Sequence, residues 1–321
     1  MSENFDVDLV YLWCDGAADE FIAKKEAYLK KEGKQLPLQA IATGRFEQID
    51  ELKYSLRSVS QYLPWIRHIF IVTDNQIPSW LNTNHPKIKM VDHTDFIPQE
   101  YLPLFNSCAI SSCVHKISNL SEHFLIANDD LFVNRFVNKE FFFPSPEKVT
   151  VRLKCRDLYP ENSLYDEMLV HALSLIRKKF GLRIPLISKN NIEPHHNIDA
   201  FLKSDCIACE KMFFNEHLET LSHRFRQPTS LLRYIVSLYS FVNRRASFKN
   251  VSWTTDKKAL TSEVDSVYFS NRDWSVFDEV LTDFNPALFC INDDEHSRVC
   301  DREQTKQFLD RRFSEKCMFE K

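Results

Sequence analysis

At 321 residues and 44% hydrophobic content, the chain is long enough for one large domain, or for a main domain with an insert. A net charge of −4 gives no general attraction to nucleic acid. Four glycines exclude collagen-like and Gly-rich linker classes, and neither GxGxxG nor GxxxxGK[ST] occurs, so any nucleotide must be held by metal, Arg and side-chain contacts.

Residues 7–13 form an apolar run that reads as a buried strand and ends in Cys14-Asp15-Gly16. Helical spacing follows over 19–32, closed by Gly33; residues 34–48 read as irregular. An amphipathic helix is expected over 51–63, with Leu52, Leu56, Val59 and Leu63 on one face and Asp50 as its N-cap. Arg57 lies off that stripe, as a surface residue or a phosphate ligand. Strands at 69–73 and 88–91 end in Asp74 and Asp92, and a helix over 107–117 feeds a strand at 124–128. That strand runs into Asn128-Asp129-Asp130, and three polar side chains in succession cannot be core.

The spacing predicts further helices over 164–180, closed by Gly181, and over 200–219 and 229–242. Residues 190–199, with His195-His196, read as a loop. A strand over 287–291 ends in Asn292-Asp293-Asp294 and is expected to return to the main sheet; a charged helix over 302–315 closes the order. Residues 229–246 fit a buried helix with a charged end better than an interfacial membrane helix. No apolar run of ~18 residues exists, so no span is expected. Nine cysteines, with no secretory signal at the start, point to free thiols in a reducing cytoplasm, and Cys206-x-x-Cys209 lacks a second pair for zinc.

The alternation of strands and helices predicts an α/β fold with a mostly parallel sheet and a helical insert. In such sheets ligands sit at the carboxyl ends of strands. Taken singly, each Asp there is a turn former or a cap; the recurrence points to a metal or nucleotide site. Carboxylates hold a divalent cation, a His serves as general base, and the guanidinium groups of His223-Arg224-Phe225-Arg226 suit phosphate oxygens. Without a Gly-rich loop, this set describes a nucleotide-sugar enzyme better than a dehydrogenase or a P-loop enzyme.

These stretches resemble the Stealth family of sugar-phosphate transferases. VDLVYLWCDG (7–16) is similar to its first block, and RFEQIDELKYSLRSVSQYLPWIRHIFIVTDNQIPSWL (45–81) to the start of its second. Residues 102–133, ending LIANDDLFV, resemble the rest of the second block, 193–228 the third, and FCINDDE (289–295) the fourth. The resemblance implies transfer of a sugar 1-phosphate from a nucleotide sugar, commonly a UDP-sugar, to a sugar hydroxyl of a glycan or lipid-linked oligosaccharide in capsular or exopolysaccharide synthesis. It implies His196 and Arg226 as catalytic, and acidic block positions at Asp15, Asn128, Asp129, Asp130 and Asp293. The chain departs from the family's DGSDP-like turn at 15–19 and from its His-x-Pro at 196–198, which keeps His195 as a rival.

The full expectation is a Rossmann-like, glycosyltransferase-A-like sheet: a nucleotide-sugar-binding core over 1–144, a helical region over 145–285 carrying the His/Arg block, and a returning strand and helix over 286–321. The expected catalytic residues are His196, Arg226, Asp129 and Asp293. Asp129, Asp130 and Asp293 are expected to hold Mg²⁺ or Mn²⁺, and Asp15, Gly16, Arg57, Asn106 and Asn128 the donor. The expected location is the cytoplasm, free or peripheral at the inner face of the cell membrane. The rival readings are ordinary glycosyl transfer, which releases a nucleoside diphosphate, and a non-catalytic carbohydrate-binding protein.

Overall fold

A computed structural model describes residues 5–32, 36–41, 48–181, 192–251, 264–293 and 296–321. The Gly33 stop, the first residues of the 45–81 stretch and the acidic positions 294 and 295 lie outside them.

Strands β1 (Val7–Leu12), β2 (Ile69–Thr73), β3 (Ile88–Asp92) and β4 (His123–Asn128) are parallel, in the order β3-β2-β1-β4. Apart from Asp8, β1 and β2 are largely apolar because both faces of this sheet are covered. Leu9 and Tyr11 pack on one side, Val10 and Phe124 on the other. The charge inside β1, Asp8, is fully buried and neutralised by the Arg67 fork at 2.9 and 2.6 Å.

The helices before β4 are α1 (Asp19–Glu32), α2 (Leu38–Ile41), α3 (Glu51–Tyr62) and α4 (Ser107–Cys113). α3 has the expected apolar stripe, but Asp50 does not cap it. Asp50 sits at φ 70° with no capping hydrogen bond, and its carboxylate meets Lys306 at 2.7 Å instead.

The chain leaves β4 at Asp129-Asp130 and at once forms β5 (Leu131–Val133), which belongs to a different sheet. Two adjacent acidic side chains can share a ligand only where the regular strand has ended, and here it has. After β5 come β6 (Val149–Cys155), α5 (Leu164–Phe180), β7 (Ile192–Pro194) and β8 (Asp199–Leu202). Then follow α6 (Lys203–Met212), α7 (Phe214–Ser222), α8 (Tyr234–Val242), β9 (Ala246–Asn250), β10 (Ser266–Ser270), α9 (Phe277–Asp283), β11 (Leu288–Asn292) and α10 (Val299–Arg312).

Three expectations are corrected here. The stretch 145–285 is mixed rather than helical, since β6, β7 and β9 form a sheet of their own in the order β7-β6-β9. Residues 200–202 are strand, not helix start: β8 lies antiparallel on β4, pairing Ile126 with Asp199. The open edge of β4 overrides the helical spacing of that segment. Nor does β11 return to the main sheet. It pairs parallel with β10 and antiparallel with β5.

α8 is a packed helix. Tyr234, Ile235 and Leu238 are buried, and Arg245 just beyond it pairs with Asp205 at 2.7 Å. No helix among the described residues is long and apolar enough to cross a membrane. All nine cysteines are free; burial pushes the thiols of Cys206 and Cys209 up, as suits packing rather than redox or metal chemistry.

Candidate functional site

The parallel strands bring their acidic ends to one rim, and the structure sorts those ends by their partners. Asp74 is paired with Lys24 at 2.5 Å. Asp92 caps the following turn by accepting from the Thr94 amide at 2.9 Å. For Asp92 the turn-and-cap reading holds, and Asp74 is spent on an ion pair. Asp15 is held through its backbone by Gln76, at 2.8 and 2.9 Å, and its own Oδ1 accepts from the Ala17 amide. That ties the Asp15-Gly16 turn at the end of β1 to the loop after β2.

Asp129 and Asp130 have different surroundings. β8 starts at the carboxyl end of β4, so the segment just before it, with His196, reaches the same end. His196 Nε2 lies 3.2 Å from Asp130 Oδ2. Cys290 of β11 donates to the same oxygen at 3.6 Å. Asp130, His196 and Cys290 form a group with ligand-type atoms within 4.8 Å of one another. The other oxygen, Asp130 Oδ1, is buried without a hydrogen-bond partner. Asp129 Oδ2 accepts from Gln48 at 2.9 Å.

A third carboxyl joins them, Glu51 in the first turn of α3, which is buried. Ser55 and Ser58 hold α3 against β5: Ser55 Oγ donates to the Leu131 carbonyl at 2.5 Å, and the Val133 amide donates to Ser58 Oγ at 3.0 Å. Tyr11 adds a 2.6 Å hydrogen bond to Ser55 from the neighbouring strand. Glu51 is the residue that sequence reasoning missed. Its signal was the polar stripe Glu51, Ser55, Ser58 beside the apolar face, a spacing that puts all three on one side of the helix.

Burial and mutual repulsion govern the charges here. Burial, then the charge of Asp129, pushes the Glu51 carboxyl up to about 8. Burial, then Asp130, pushes Asp129 up to about 6. Burial and Asp130 keep the Cys290 thiol well above its ordinary value, so it stays protonated and is no ligand for a hard cation. The unpartnered Asp130 Oδ1 is an oxygen of the kind such a cation takes; Asp129 directly precedes it in the chain, while Glu51 Oε2 accepts from the Ile49 amide at 2.8 Å.

A raised folded-state carboxyl value means that the folded protein binds more protons than the unfolded chain. Its stabilising contribution is present below pH ~4 and is lost as pH rises through about 8. In chelator, the protein should therefore weaken between pH 5 and pH 8.5 by something on the order of a few kcal/mol. Glu51→Gln should flatten that slope in denaturant titrations at the two pH values. An unchanged slope would mean that Glu51 is solvated.

The remaining expected residues divide. The loop carrying Arg226 is zipped to the segment before α4: the Phe105 amide donates to the Arg224 carbonyl at 2.9 Å, and Phe105 stacks on Phe225. Because α4 runs back along the sheet before β4, its first residue lies at the carboxyl edge. There Ser107 Oγ accepts from Arg226 Nη2 at 2.5 Å, while Arg226 Nε is buried without a partner. Arg224 instead spends its fork on the carbonyls of Tyr101 and Pro103, so it is structural.

Asn106 is fully buried and is no donor ligand. It caps α4 through the Cys108 amide and ties the His223 carbonyl, and so builds the seat of Arg226. Arg57 is taken by Glu320, at 2.7 Å to each oxygen, and by the Phe313 carbonyl; the phosphate reading is corrected to a tether. Asp293 follows β11 at the same edge, but Arg302 grips both its oxygens at 2.6 and 3.2 Å, and it does not join the Asp130 group. Asn128 Oδ1 accepts from Arg233 at 3.3 Å, and Arg233 also holds Asp199 at 2.8 Å. His195 is buried, its backbone hydrogen-bonded to Arg152, and it is its neighbour His196 that lies 3.2 Å from Asp130.

Residues 45–151 match the model of Stealth protein CR2, conserved region 2. The chain is 34% identical over 312 residues to the capsular polysaccharide phosphotransferase fcs1 of Haemophilus influenzae, covering 91% of this chain and 79% of the relative. It is 33% identical over 326 residues to the exopolysaccharide phosphotransferase CpsY of Mycobacterium leprae, covering 97% of this chain and 56% of the relative. Against the capsular polysaccharide phosphotransferase cps1A of Actinobacillus pleuropneumoniae it is 46% identical over 142 residues, 44% of this chain and 39% of the relative. The chain thus spans most of the first relative and about half or less of the other two.

Proposed function

The chain belongs to the Stealth family of capsular and exopolysaccharide phosphotransferases, and on that premise we propose that it transfers a sugar 1-phosphate from a nucleotide sugar, a UDP-sugar by preference, to a hydroxyl of a growing capsular or exopolysaccharide glycan. The observation that carries this reading is the His196–Asp130 contact at 3.2 Å beside the carboxyls of Asp129 and Glu51, at the carboxyl rim of a parallel sheet.

A sugar hydroxyl is a weak nucleophile at neutral pH. His196, oriented by Asp130 through one ring nitrogen, takes the hydroxyl proton with the other. The hydroxyl oxygen bonds to the phosphorus that carries the sugar. The bond between that phosphorus and the oxygen bridging to the nucleoside phosphate breaks, and a nucleoside monophosphate leaves. Arg226, with its fork held by Ser107 and its Nε left unpartnered, binds the phosphoryl oxygens. Asp129 and Asp130, with Glu51 nearby, would hold a divalent cation, Mg²⁺ or Mn²⁺, whose charge would neutralise the oxygens of the leaving nucleoside monophosphate. The Asp15-Gly16 turn and the amide of Asn128 lie at the same rim and border the donor. The proposed site of action is the cytoplasm, free or peripheral at the membrane's inner face.

A panel of nucleotide sugars with a glycan acceptor, read for both the nucleotide released and the mass added, tests this reading. Nucleoside monophosphate and an added sugar phosphate are expected. Release of a diphosphate with only sugar added would replace it by glycosyl transfer, and binding without turnover would make the chain a carbohydrate-binding protein.

A further inference from the structure

At the end of β10, on the rim where β11 ends and Asp130 lies, stands an exposed tryptophan whose placement the chemistry above does not use. β10 and β11 run parallel, with Ser270 in register with Asn292. The Ile291 amide donates to the Asp130 carbonyl at 3.1 Å, so both strands end within one residue of the level of Asp130. The turn Asn271–Val276 leaves β10 at that end and carries Trp274, which is 41% exposed.

The indole is not loose. Its Nε1 donates to Asp301 Oδ1 at 3.3 Å, and that carboxylate is fully buried. The same carboxylate takes two bonds from Arg298, at 2.9 Å each, while 72% of the Arg298 side chain stays in solvent. One buried acid therefore fixes an indole and a guanidinium side by side and turns both outward. The nitrogen of the indole is satisfied inside the protein, so what it offers outside is a ring surface, with the spare Arg298 N–H groups next to it.

We propose that Trp274 and Arg298 form an acceptor subsite for a pyranose ring of the glycan, one or more units back from the hydroxyl that reacts. The face of an indole carries partial negative charge, and the C–H bonds on one face of a pyranose carry partial positive charge, so the two stack. The hydroxyls at the ring edge then meet the Arg298 donors. The inference rests on the glycan-transfer reading and extends it, because an acceptor longer than one unit must leave the site across a rim. A lipid surface is the competing occupant, since Val299 beside them is 69% exposed. The rim position and the internally tied indole nitrogen favour the sugar.

The test compares synthetic phosphodiester-linked oligosaccharides of one and four repeats as acceptors for the full chain. Trp274→Ala and Trp274→Phe both lose the bond to Asp301, but only the first loses the ring. Trp274→Ala should raise KM for the four-repeat acceptor roughly tenfold, the order expected of one aromatic contact, with kcat and the one-repeat KM unchanged. Trp274→Phe should stay close to the parent. Calorimetric binding of the same two oligosaccharides without donor should give the same contrast independently of turnover. Equal effects of the two variants, or equal loss with both lengths, would overturn the subsite. So would unchanged acceptor kinetics with lost binding to phosphatidylethanolamine–phosphatidylglycerol vesicles, which would assign the patch to lipid. Wild-type protein that binds the longer oligosaccharide through Trp274 yet transfers nothing would refute the transferase reading and leave the subsite standing.

Discussion

His196→Ala is expected to lower transfer by a factor on the order of 10² or more while fold and donor binding survive. The ring is half-buried and meets Asp130 at 3.2 Å and Tyr268 edge-on, so its removal opens no large cavity in the core. His195 is the control. It is buried with its backbone bonded to Arg152, and His195→Ala should cost stability before chemistry. Arg226→Lys should also be impaired, because an ammonium cannot reproduce the planar fork that bonds Ser107 on one side and leaves a donor fixed on the other. Stereochemistry at phosphorus divides two routes for His196. Base catalysis gives inversion; attack by the imidazole itself, through a phosphohistidine-linked sugar, gives retention. If His196→Ala turns over normally while His195→Ala is dead, the role moves by one residue. If both stay active, the mechanism is wrong.

Chelation is expected to abolish turnover, and Asp129→Asn or Asp130→Asn to lose several kcal/mol of transition-state stabilisation, more than roughly 10² in rate. Asp130 should be the worse of the two. Its Oδ2 orients His196 and its Oδ1 is the buried oxygen without a partner, so one substitution removes both services. Asp293→Asn separates the structure from the sequence expectation. If Asp293 serves only Arg302, as its two short bonds indicate, the variant keeps its response to added Mg²⁺ or Mn²⁺ and loses stability instead. Full activity of the parent in chelator would remove the cation from the account. Restoration by Zn²⁺ alone would point to the Asp130–His196–Cys290 set, which has the mixed donors that such an ion prefers.

What the sequence determined by itself was local. Periodicity placed α1 over Asp19–Glu32 and α5 over Leu164–Phe180, because amphipathic spacing and helix stops act within a few residues. Apolar runs ending in acid placed β1 to β4, and the acids fell on one rim because parallel strands share a direction. The tertiary structure decided everything that depends on a partner far along the chain. β8 is a strand because the edge of β4 was open to it, and β11 lies in another sheet, where β10 and β5 pair with it. Arg224 and Arg226 are two residues apart and equivalent in sequence; carbonyls at Tyr101 and Pro103 silence the first, and the second keeps a buried donor unpartnered. Asp293 and Asp130 end similar strands, yet Arg302 claims one while His196 meets the other. Glu51 read as one more charge on a helix until β5 packed on Ser55 and Ser58 and enclosed it beside Asp129. Charge and hydrogen-bonding capacity are properties of a residue, but whether they are spent or kept is a property of its neighbours in space, and those neighbours are assembled by strand pairing and burial, whether nine residues apart, as for Asp293 and Arg302, or 119, as for Ser107 and Arg226.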